Sequence, residues 1–222
     1  MIVYHGSDHI IETPVFRGSK RTNDYGLGFY LTEHEELAKE WACSDGNGGY
    51  ANRYELDTEG LSVLNLNHSG YSILNWLAVL AHYRSYWQKG SVSEEAKRYL
   101  QDHFFIDPEA YDMIIGYRAD DSYFTFAQDF VSNVISYQKL SQAMRLGTLG
   151  EQIVLKSERA FQQIRFLDAI YADAQIYYEK KVSRDREARR AYRNTKQEAD
   201  SSGALFMLDI LREGVVHGDA RL

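Results

Sequence analysis

The chain has 222 residues, which suits one domain or a domain with a tail, and 44% of them are hydrophobic, enough for an ordinary core. Its formal net charge of −7 disfavours general nucleic-acid binding. The single cysteine excludes an intrachain disulfide, and no apolar run approaches the length of a membrane span. We expect no signal peptide, because the N-terminal residues enter the strand pattern at once without a basic region. We therefore expect a cytoplasmic protein that does not contact a membrane.

The first thirty residues carry two motifs that indicate a bound ligand. Residues 1–5 are mostly β-branched and aromatic and precede Gly6-Ser7, which predicts a strand with His5 at its end and a tight turn after it. Residues 26–31 (Gly-Leu-Gly-Phe-Tyr-Leu) predict a second short strand behind two glycines. One interpretation is a planar ligand held against exposed backbone. The other is a structural histidine and an ordinary turn.

Further elements follow in alternation. Residues 33–42 have helical spacing, with Thr32 as N-cap and Trp41 on the inner face, where a core aromatic is the alternative to a ligand contact. Strands are predicted near 52–56, 61–66 and 112–116, and helices over 72–100 and 129–146, the last ended by Gly147. Asp121 either caps a helix or, with Arg118, lines a polar site.

The end of the chain changes in composition. A late strand is predicted to begin at Glu151, and residues 171–200 are charge-dense, as is typical of a solvated helix. The apolar segment 204–211 behind them is too short to fold alone. We predict a catalytic domain over residues 1–170 and a helical extension over 171–222 that packs on this domain or on a partner.

Taken together, the motifs resemble those of the ADP-ribosyltransferase superfamily, in the His-Tyr-Glu branch that contains diphtheria toxin and the poly(ADP-ribose) polymerases. Residues 4–7 (Tyr-His-Gly-Ser) resemble the first NAD-binding strand of that branch, residues 26–31 resemble its stacking-tyrosine motif, and residues 151–155 resemble its late catalytic strand. Similarity is best to an uncharacterised bacterial branch and covers residues 1–170. The resemblance implies an α+β fold: a split antiparallel β-sheet core with flanking helices and a helical C-terminal tail.

The resemblance also implies the site residues, with NAD as the substrate and no metal. Catalytic roles fall to Glu151, His5 and Tyr30. The NAD-binding residues are His5, Gly6, Ser7, Gly28, Tyr30, Trp41, Arg17, Arg118 and Gln152. Trp41 follows Tyr30 by eleven residues, the spacing of the second ring-stacking aromatic, whereas Ala38 stands where the polymerases have a serine. Gln152 is a rival to Glu151 for the key position, and Arg17 either faces the pyrophosphate or belongs to a solvated loop.

The implied activity is mono-ADP-ribosylation of an intracellular macromolecule by a toxin of a toxin–antitoxin or phage-defence system. An antitoxin protein is a candidate partner. The acidic balance favours a protein acceptor over a nucleic acid. The arginine-modifying branch is disfavoured because His5 and Leu149 stand where that branch has Arg and Gln or Glu. Two alternatives stay open: an NAD glycohydrolase, and an inactive module that binds NAD or a partner protein.

Overall fold

The computed structural model describes residues 1–84, 90–119, 121–145 and 151–222, which form an α+β structure. The strands are β1 (Ile2–Ser7), β2 (Phe29–Leu31), β3 (Gly49–Leu56), β4 (Val63–Asn65), β5 (Met113–Tyr117), β6 (Glu151–Leu155) and β7 (Ile164–Ala172). The helices are α1 (Glu35–Ala42), α2 (Ile73–Tyr83), α3 (Ser91–Phe104), α4 (Asp121–Val131), α5 (Tyr137–Ala143), α6 (Glu158–Gln162), α7 (Ala174–Gln197) and α8 (Met207–Glu213).

The strands form two sheets. The first sheet has the order β1-β3-β7 and is antiparallel, and the second has the order β2-β6-β5-β4. In the second sheet β2, β6 and β5 pair antiparallel, as expected, whereas β4 pairs parallel with β5, so the antiparallel arrangement does not extend to that edge. A parallel pair needs a long crossover, which α2 and α3 provide. The sheets meet at Tyr4 and Thr32, whose backbones exchange hydrogen bonds of 2.8 and 2.9 Å.

Apolar side chains form two main clusters. The larger one gathers buried residues of α2 to α5, α8 and the helix-facing side of β5 and β6, with Trp76, Phe126 and Phe130 among its largest members. The smaller one lies between the sheets and contains Val3, Phe29, Leu31, Tyr54, Leu56, Met113, Ile153, Leu155 and Ala160. The two sheets are therefore fixed on each other by apolar contact as well as by the backbone bridge.

The C-terminal helices pack on the rest of the chain. Helix α7 contacts α1, α4 and α5, and α8 contacts α3. Leu205, Met207 and Ile210 are buried in the larger cluster. Strand β7 crosses residue 170, and the division of the chain into two domains at that position stays a prediction. No helix in the described ranges is both long enough and apolar enough to cross a membrane.

Local predictions near the N-terminus need two corrections. Strand β1 continues through Gly6 to Ser7, so His5 lies within the strand and no turn follows it. The N-cap of α1 is His34, not Thr32, because Thr32 is engaged in the bridge to Tyr4. The hydroxyl oxygen of Thr32 accepts a 3.2 Å bond from the His34 amide, in the turn before the helix.

The predicted helix over residues 129–146 is also wrong. Helix α4 ends at Val131 and α5 begins at Tyr137, because Asn133 takes the left-handed conformation (φ 63°) and Ser136 caps the new helix. Helix α4 begins at Asp121 itself, so Asp121 is not its N-cap. The predicted stop at Gly147 lies outside the described residues.

Candidate functional site

A cleft of about 880 Å³ opens where β1 and β2 diverge beyond the Tyr4–Thr32 bridge. It is lined by the ends of both sheets, by α1 and by the segment that joins β1 to β2. The structure brings most of the predicted site residues together here: His5, Gly6, Gly28, Tyr30, Trp41, Arg118 and Gln152. They come from distant parts of the sequence and are assembled by the sheet pairing.

The ring of His5 is fixed in one orientation. Its Nδ1 donates to the carbonyl oxygen of Tyr30 at 2.7 Å, and the ring stacks on Phe29 with centroids 4.5 Å apart. Burial lowers the pKa of His5, and this outweighs the opposing effect of the bond to the Tyr30 carbonyl. His5 is therefore neutral near pH 7, with Nδ1 protonated and Nε2 as its hydrogen-bond acceptor.

Gly6 offers backbone rather than a side chain. In an antiparallel pair, alternate residues direct both backbone groups toward the partner strand or away from it. The amide and carbonyl of Tyr4 bond to Thr32, on the side of β1 that faces away from β3. Gly6 is two residues further along the strand, so its amide and carbonyl point to that same side, into the space beyond the Tyr4–Thr32 bridge. A Cβ at Gly6 would clash with the carbonyl oxygen of Ala38, so only glycine lets α1 pack this closely on β1.

Tyr30 holds the glycine turn that precedes its own strand. Its hydroxyl donates to the carbonyl oxygen of Gly26 at 2.7 Å and accepts from the amide of Tyr25 at 3.1 Å. Gly26 has a φ of 71°, which favours glycine. Burial raises the pKa of Tyr30 well above its usual value. The ring forms a wall of the cleft, and its hydroxyl is used by the turn.

The same turn is held from the other side by Lys156, which follows β6. Its Nζ donates to the carbonyl oxygens of Tyr25 (2.7 Å) and Leu27 (2.6 Å) and to Glu109 Oε1 (2.6 Å). Three successive carbonyls, of residues 25 to 27, thus accept side-chain hydrogen bonds. Burial lowers the pKa of Lys156, against the raising effect of Glu109. The glycine turn, which leads into the cleft residues Gly28 and Tyr30, is therefore held by side chains from both sides.

Trp41 and Arg118 form one side of the cleft. The Arg118 guanidinium carbon lies 4.3 Å from the centroid of the half-buried Trp41 ring, a cation–π contact worth about 0.5–2 kcal/mol. The indole Nε1 of Trp41 is buried and has no hydrogen-bond partner among the described residues. The guanidinium covers a flat aromatic face that a planar ligand would also use.

Gln152 forms a polar group with Asp24 and Arg84, in which Gln152 and Asp24 are buried and Arg84 is partly exposed. Its Nε2 donates to Asp24 Oδ2 at 3.1 Å and to the carbonyl oxygen of Tyr117 at 3.3 Å. Asp24 also accepts from the amide of Ala119 at 2.8 Å and forms an ion pair with Arg84 at 2.6 Å. Asp24 and Arg84 line the cleft as well.

Glu151 lies on the other face of β6. Successive strand residues point to opposite faces, and Gln152 shares its face with Val154, whereas Glu151 shares its face with Ile153. The Glu151 side chain is exposed and accepts a 2.8 Å bond from Nδ2 of Asn67. The structure thus places Gln152 in the cleft lining and Glu151 outside it.

Sequence comparison gives a family for this chain. The model of a family described as proteins of unknown function, DUF3990, matches residues 1–166. The chain belongs to the DUF3990 family. No curated protein and no solved structure matches it. The matched segment of this DUF3990 protein contains every described cleft-lining residue except Lys181.

Besides Glu151, two further predicted site residues of the DUF3990 chain lie elsewhere. Ser7 turns away from the cleft lining, where its Oγ donates to the His9 carbonyl at 2.6 Å and accepts from the buried Asn52 at 2.9 Å. Arg17 lies over the Phe16 ring, 5.2 Å from its centroid, and lines a second cavity of about 630 Å³. Among the described residues, the lysine and arginine side chains that line the cleft are Arg84, Arg118 and Lys181.

Sequence reasoning missed Asp24, Arg84 and Lys156. Asp24 stands directly before the glycine motif, in a pair with Asn23 that is typical of turns, and this position was the only available signal. Arg84 follows the end of α2 and reaches Asp24 only in the folded chain. Within the described ranges, no group of three His, Cys, Asp or Glu side chains is arranged to hold a metal ion.

Proposed function

We propose that the cleft binds NAD and that the protein transfers ADP-ribose from NAD to a macromolecule. The observation that supports this most is the meeting of His5, Gly6, Tyr30 and Trp41 in one cleft. These are the residues for which the resemblance to the ADP-ribosyltransferase superfamily implies contacts with NAD. A shared site is what that resemblance requires, and the four residues come from three separate elements, β1, β2 and α1.

In this proposal the nicotinamide half of NAD lies against the first sheet. The backbone of Gly6 pairs with the carboxamide, which needs one donor and one acceptor side by side. The rings of Tyr30 and Trp41 contact the nicotinamide, with about 0.5–1.5 kcal/mol for each aromatic pair beyond area burial. His5 accepts a bond from a ribose hydroxyl through Nε2, the acceptor that its bond to Tyr30 leaves.

The pyrophosphate is paired with the cations of the cleft. Arg118 and Lys181 line the cleft, whereas Arg17 lies at the second cavity. A nicotinamide ring on the covered face of Trp41 displaces the Arg118 guanidinium from that face, and the displaced guanidinium is then near the phosphates. Arginine suits this role because its planar fork binds phosphate oxygens in pairs.

The reaction breaks the bond between C1′ of the ribose and the nicotinamide nitrogen. Nicotinamide leaves with the bonding electrons, positive charge develops on the ribose, and a nucleophile of the acceptor bonds to C1′ and loses its proton. Acceptor oxygens close to the ribose stabilise that charge in the transition state. Because Gln152 lines the cleft and Glu151 does not, Gln152 is the better candidate for this contact.

A second function, NAD binding without transfer, is favoured by one observation. The carboxylate expected to be catalytic, Glu151, is bonded to Asn67 outside the cleft lining. An amide is a weaker stabiliser of a cation than a carboxylate, because it carries no net charge.

The third candidate function is that of an NAD glycohydrolase, in which water takes the place of the macromolecular acceptor in the same cleft.

The test starts with calorimetry of the purified protein with NAD. The protein is then incubated with labelled NAD and a bacterial lysate, followed by protease or nuclease treatment. Label on a macromolecule supports transfer, and its sensitivity to protease or nuclease identifies the acceptor class. Release of free ADP-ribose alone indicates a glycohydrolase, and binding without cleavage indicates the inactive module. Absence of NAD binding contradicts the whole proposal.

The proposal extends to a role as an intracellular toxin with an antitoxin partner. Expression of the wild-type chain in a bacterial host is then expected to inhibit growth, and expression of His5→Ala is not. Equal harm from both chains would show that the harm is not NAD chemistry. Normal growth with the wild-type chain would contradict the toxin role and leave NAD binding to be judged by calorimetry.

A further inference from the structure

We propose that Asp24 is a positioning residue that fixes the amide of Gln152, so that the cleft presents the carbonyl oxygen of Gln152 to its ligand. This inference rests on the proposed function for the identity of the ligand. It predicts the polarity of the contact: the ligand group that binds at Gln152 carries a hydrogen-bond donor, as a sugar hydroxyl does. A carboxylate or phosphate oxygen, which can only accept hydrogen bonds, is disfavoured next to the carbonyl oxygen of Gln152.

The orientation of Gln152 follows from its neighbours. A carboxylate and a backbone carbonyl can only accept hydrogen bonds, and the side chain of Gln152 approaches Asp24 Oδ2 at 3.1 Å and the Tyr117 carbonyl at 3.3 Å. Both contacts require the amide nitrogen. Its two N–H groups are thereby used, and Oε1 is the remaining polar atom of a side chain that lines the cleft.

Asp24 is itself held in place by two further contacts. Oδ2 accepts from the Ala119 amide at 2.8 Å, and Oδ1 accepts from Arg84, with Nε at 2.9 Å. Asp24 is only 5% exposed, so its charge needs these partners. A charged acceptor behind the amide also polarises it, which strengthens Oε1 as an acceptor.

A second acceptor faces the same cleft. His5 donates through Nδ1 to Tyr30, which leaves Nε2 as an acceptor. Two acceptors, Nε2 of His5 and Oε1 of Gln152, suit a ligand that presents several hydroxyl groups. Together, the two acceptors give the cleft a preference for a ligand with several hydroxyl groups, which neither residue alone would define.

The first test compares Asp24→Asn with a matched control. The introduced asparagine has one carbonyl oxygen for the donors of Gln152, Ala119 and Arg84 that the two oxygens of Asp24 satisfy, so the amide of Gln152 is freed to turn. Glu40→Gln is the control, because Glu40 is 3% exposed, pairs with Arg184 at 2.7 Å and does not line the cleft. Asp24→Asn is expected to weaken NAD binding at least about tenfold in calorimetry.

Glu40→Gln is expected to keep the NAD affinity of the wild type although it also loses a buried ion pair. Wild-type NAD affinity in Asp24→Asn would overturn the proposal. Equal loss of affinity in both variants would also overturn it, because the effect would then be one of general stability.

The second test needs no ligand. In Gln152→Glu, two carboxylates face each other, and the melting temperature is expected to fall by several degrees. In the wild-type protein, Asp24→Asn is expected to lower the melting temperature. In the Gln152→Glu variant the same substitution is expected to raise it, because the introduced asparagine can donate to the introduced glutamate. If Asp24→Asn lowered the melting temperature equally in the wild type and in Gln152→Glu, the contact between residues 24 and 152 would be overturned. If wild-type protein does not bind NAD, the proposed function fails, and these melting temperatures still decide the contact.

Discussion

The carboxylate of Glu151 bonds to Asn67 at 2.8 Å, on the face of β6 that does not line the cleft. The adjacent Gln152 lines the cleft. We therefore predict that Gln152→Ala lowers the rate of NAD cleavage by about 10²-fold, as loss of a transition-state contact does. Glu151→Ala is expected to stay within about threefold of the wild type, since its carboxylate lies outside the cleft lining and makes no transition-state contact there.

Steady-state NAD cleavage by both variants, with melting temperatures as the check on folding, measures this difference. If Glu151→Ala loses activity and Gln152→Ala keeps it, Glu151 is the catalytic residue, and the strand must present its other face to NAD.

Trp41 is predicted to contribute to NAD binding through its ring. Trp41→Ala removes the stacking surface and the partner of Arg118, and we expect about a tenfold loss of NAD affinity in calorimetry. Trp41→Phe retains a flat ring and is expected to keep most of the affinity. Equal affinity in all three proteins would make Trp41 a packing residue only.

His5 is predicted to make stability depend on pH. Burial lowers its pKa in the folded chain from the usual 6.5, so below pH 6.5 the unfolded chain binds a proton that the folded chain does not. The free energy of unfolding therefore falls as the pH drops through 6.5, until folded His5 titrates as well.

Urea unfolding at several pH values between about 7.5 and 5 measures this effect, and His5→Gln is expected to show a smaller decrease than the wild type. An NMR titration that gives His5 a pKa of 6.5 or above would contradict the assignment of a neutral, buried ring.

Lys156 is predicted to stabilise the glycine turn. Lys156→Met leaves the carbonyls of Tyr25 and Leu27 without their side-chain donor, and we expect a loss of about 2–4 kcal/mol in the free energy of unfolding. Lys180→Met is the control, since its ion pair with Glu36 is exposed to solvent and contributes little to stability. Equal losses in chemical unfolding would show that the turn does not depend on Lys156.

Much of the strand pattern could be predicted because strands carry local signals. The β-branched and aromatic runs predicted β1 to β6, and the glycine motif predicted where the chain approaches the cleft. The break between α4 and α5 was missed because apolar spacing alone does not show that Asn133 adopts a positive φ. Which face of β6 meets the cleft also depends on its partners in the sheet, so the choice between Glu151 and Gln152 could not be made from the sequence.

The polar group behind the cleft was harder to predict for a different reason. Asp24, Arg84 and Gln152 are separated by 60 or more residues and form their contacts only after the sheet and α2 are in place. A buried ion pair has no periodicity, and its members resemble surface residues in a sequence. Lys156 has the same property, since nothing local distinguishes it from an exposed lysine.

The bridge between Tyr4 and Thr32 has a consequence for motion. It is the backbone link between the two sheets among the described residues, and the cleft lies immediately past it, with His5 and Gly6 on one sheet and Tyr30 and Gln152 on the other. A molecule in the cleft therefore spans the junction and resists any opening of the sheets about that bridge. Exchange of the Tyr4 and Thr32 amide hydrogens with solvent would slow on binding, which makes these two amides reporters of occupancy.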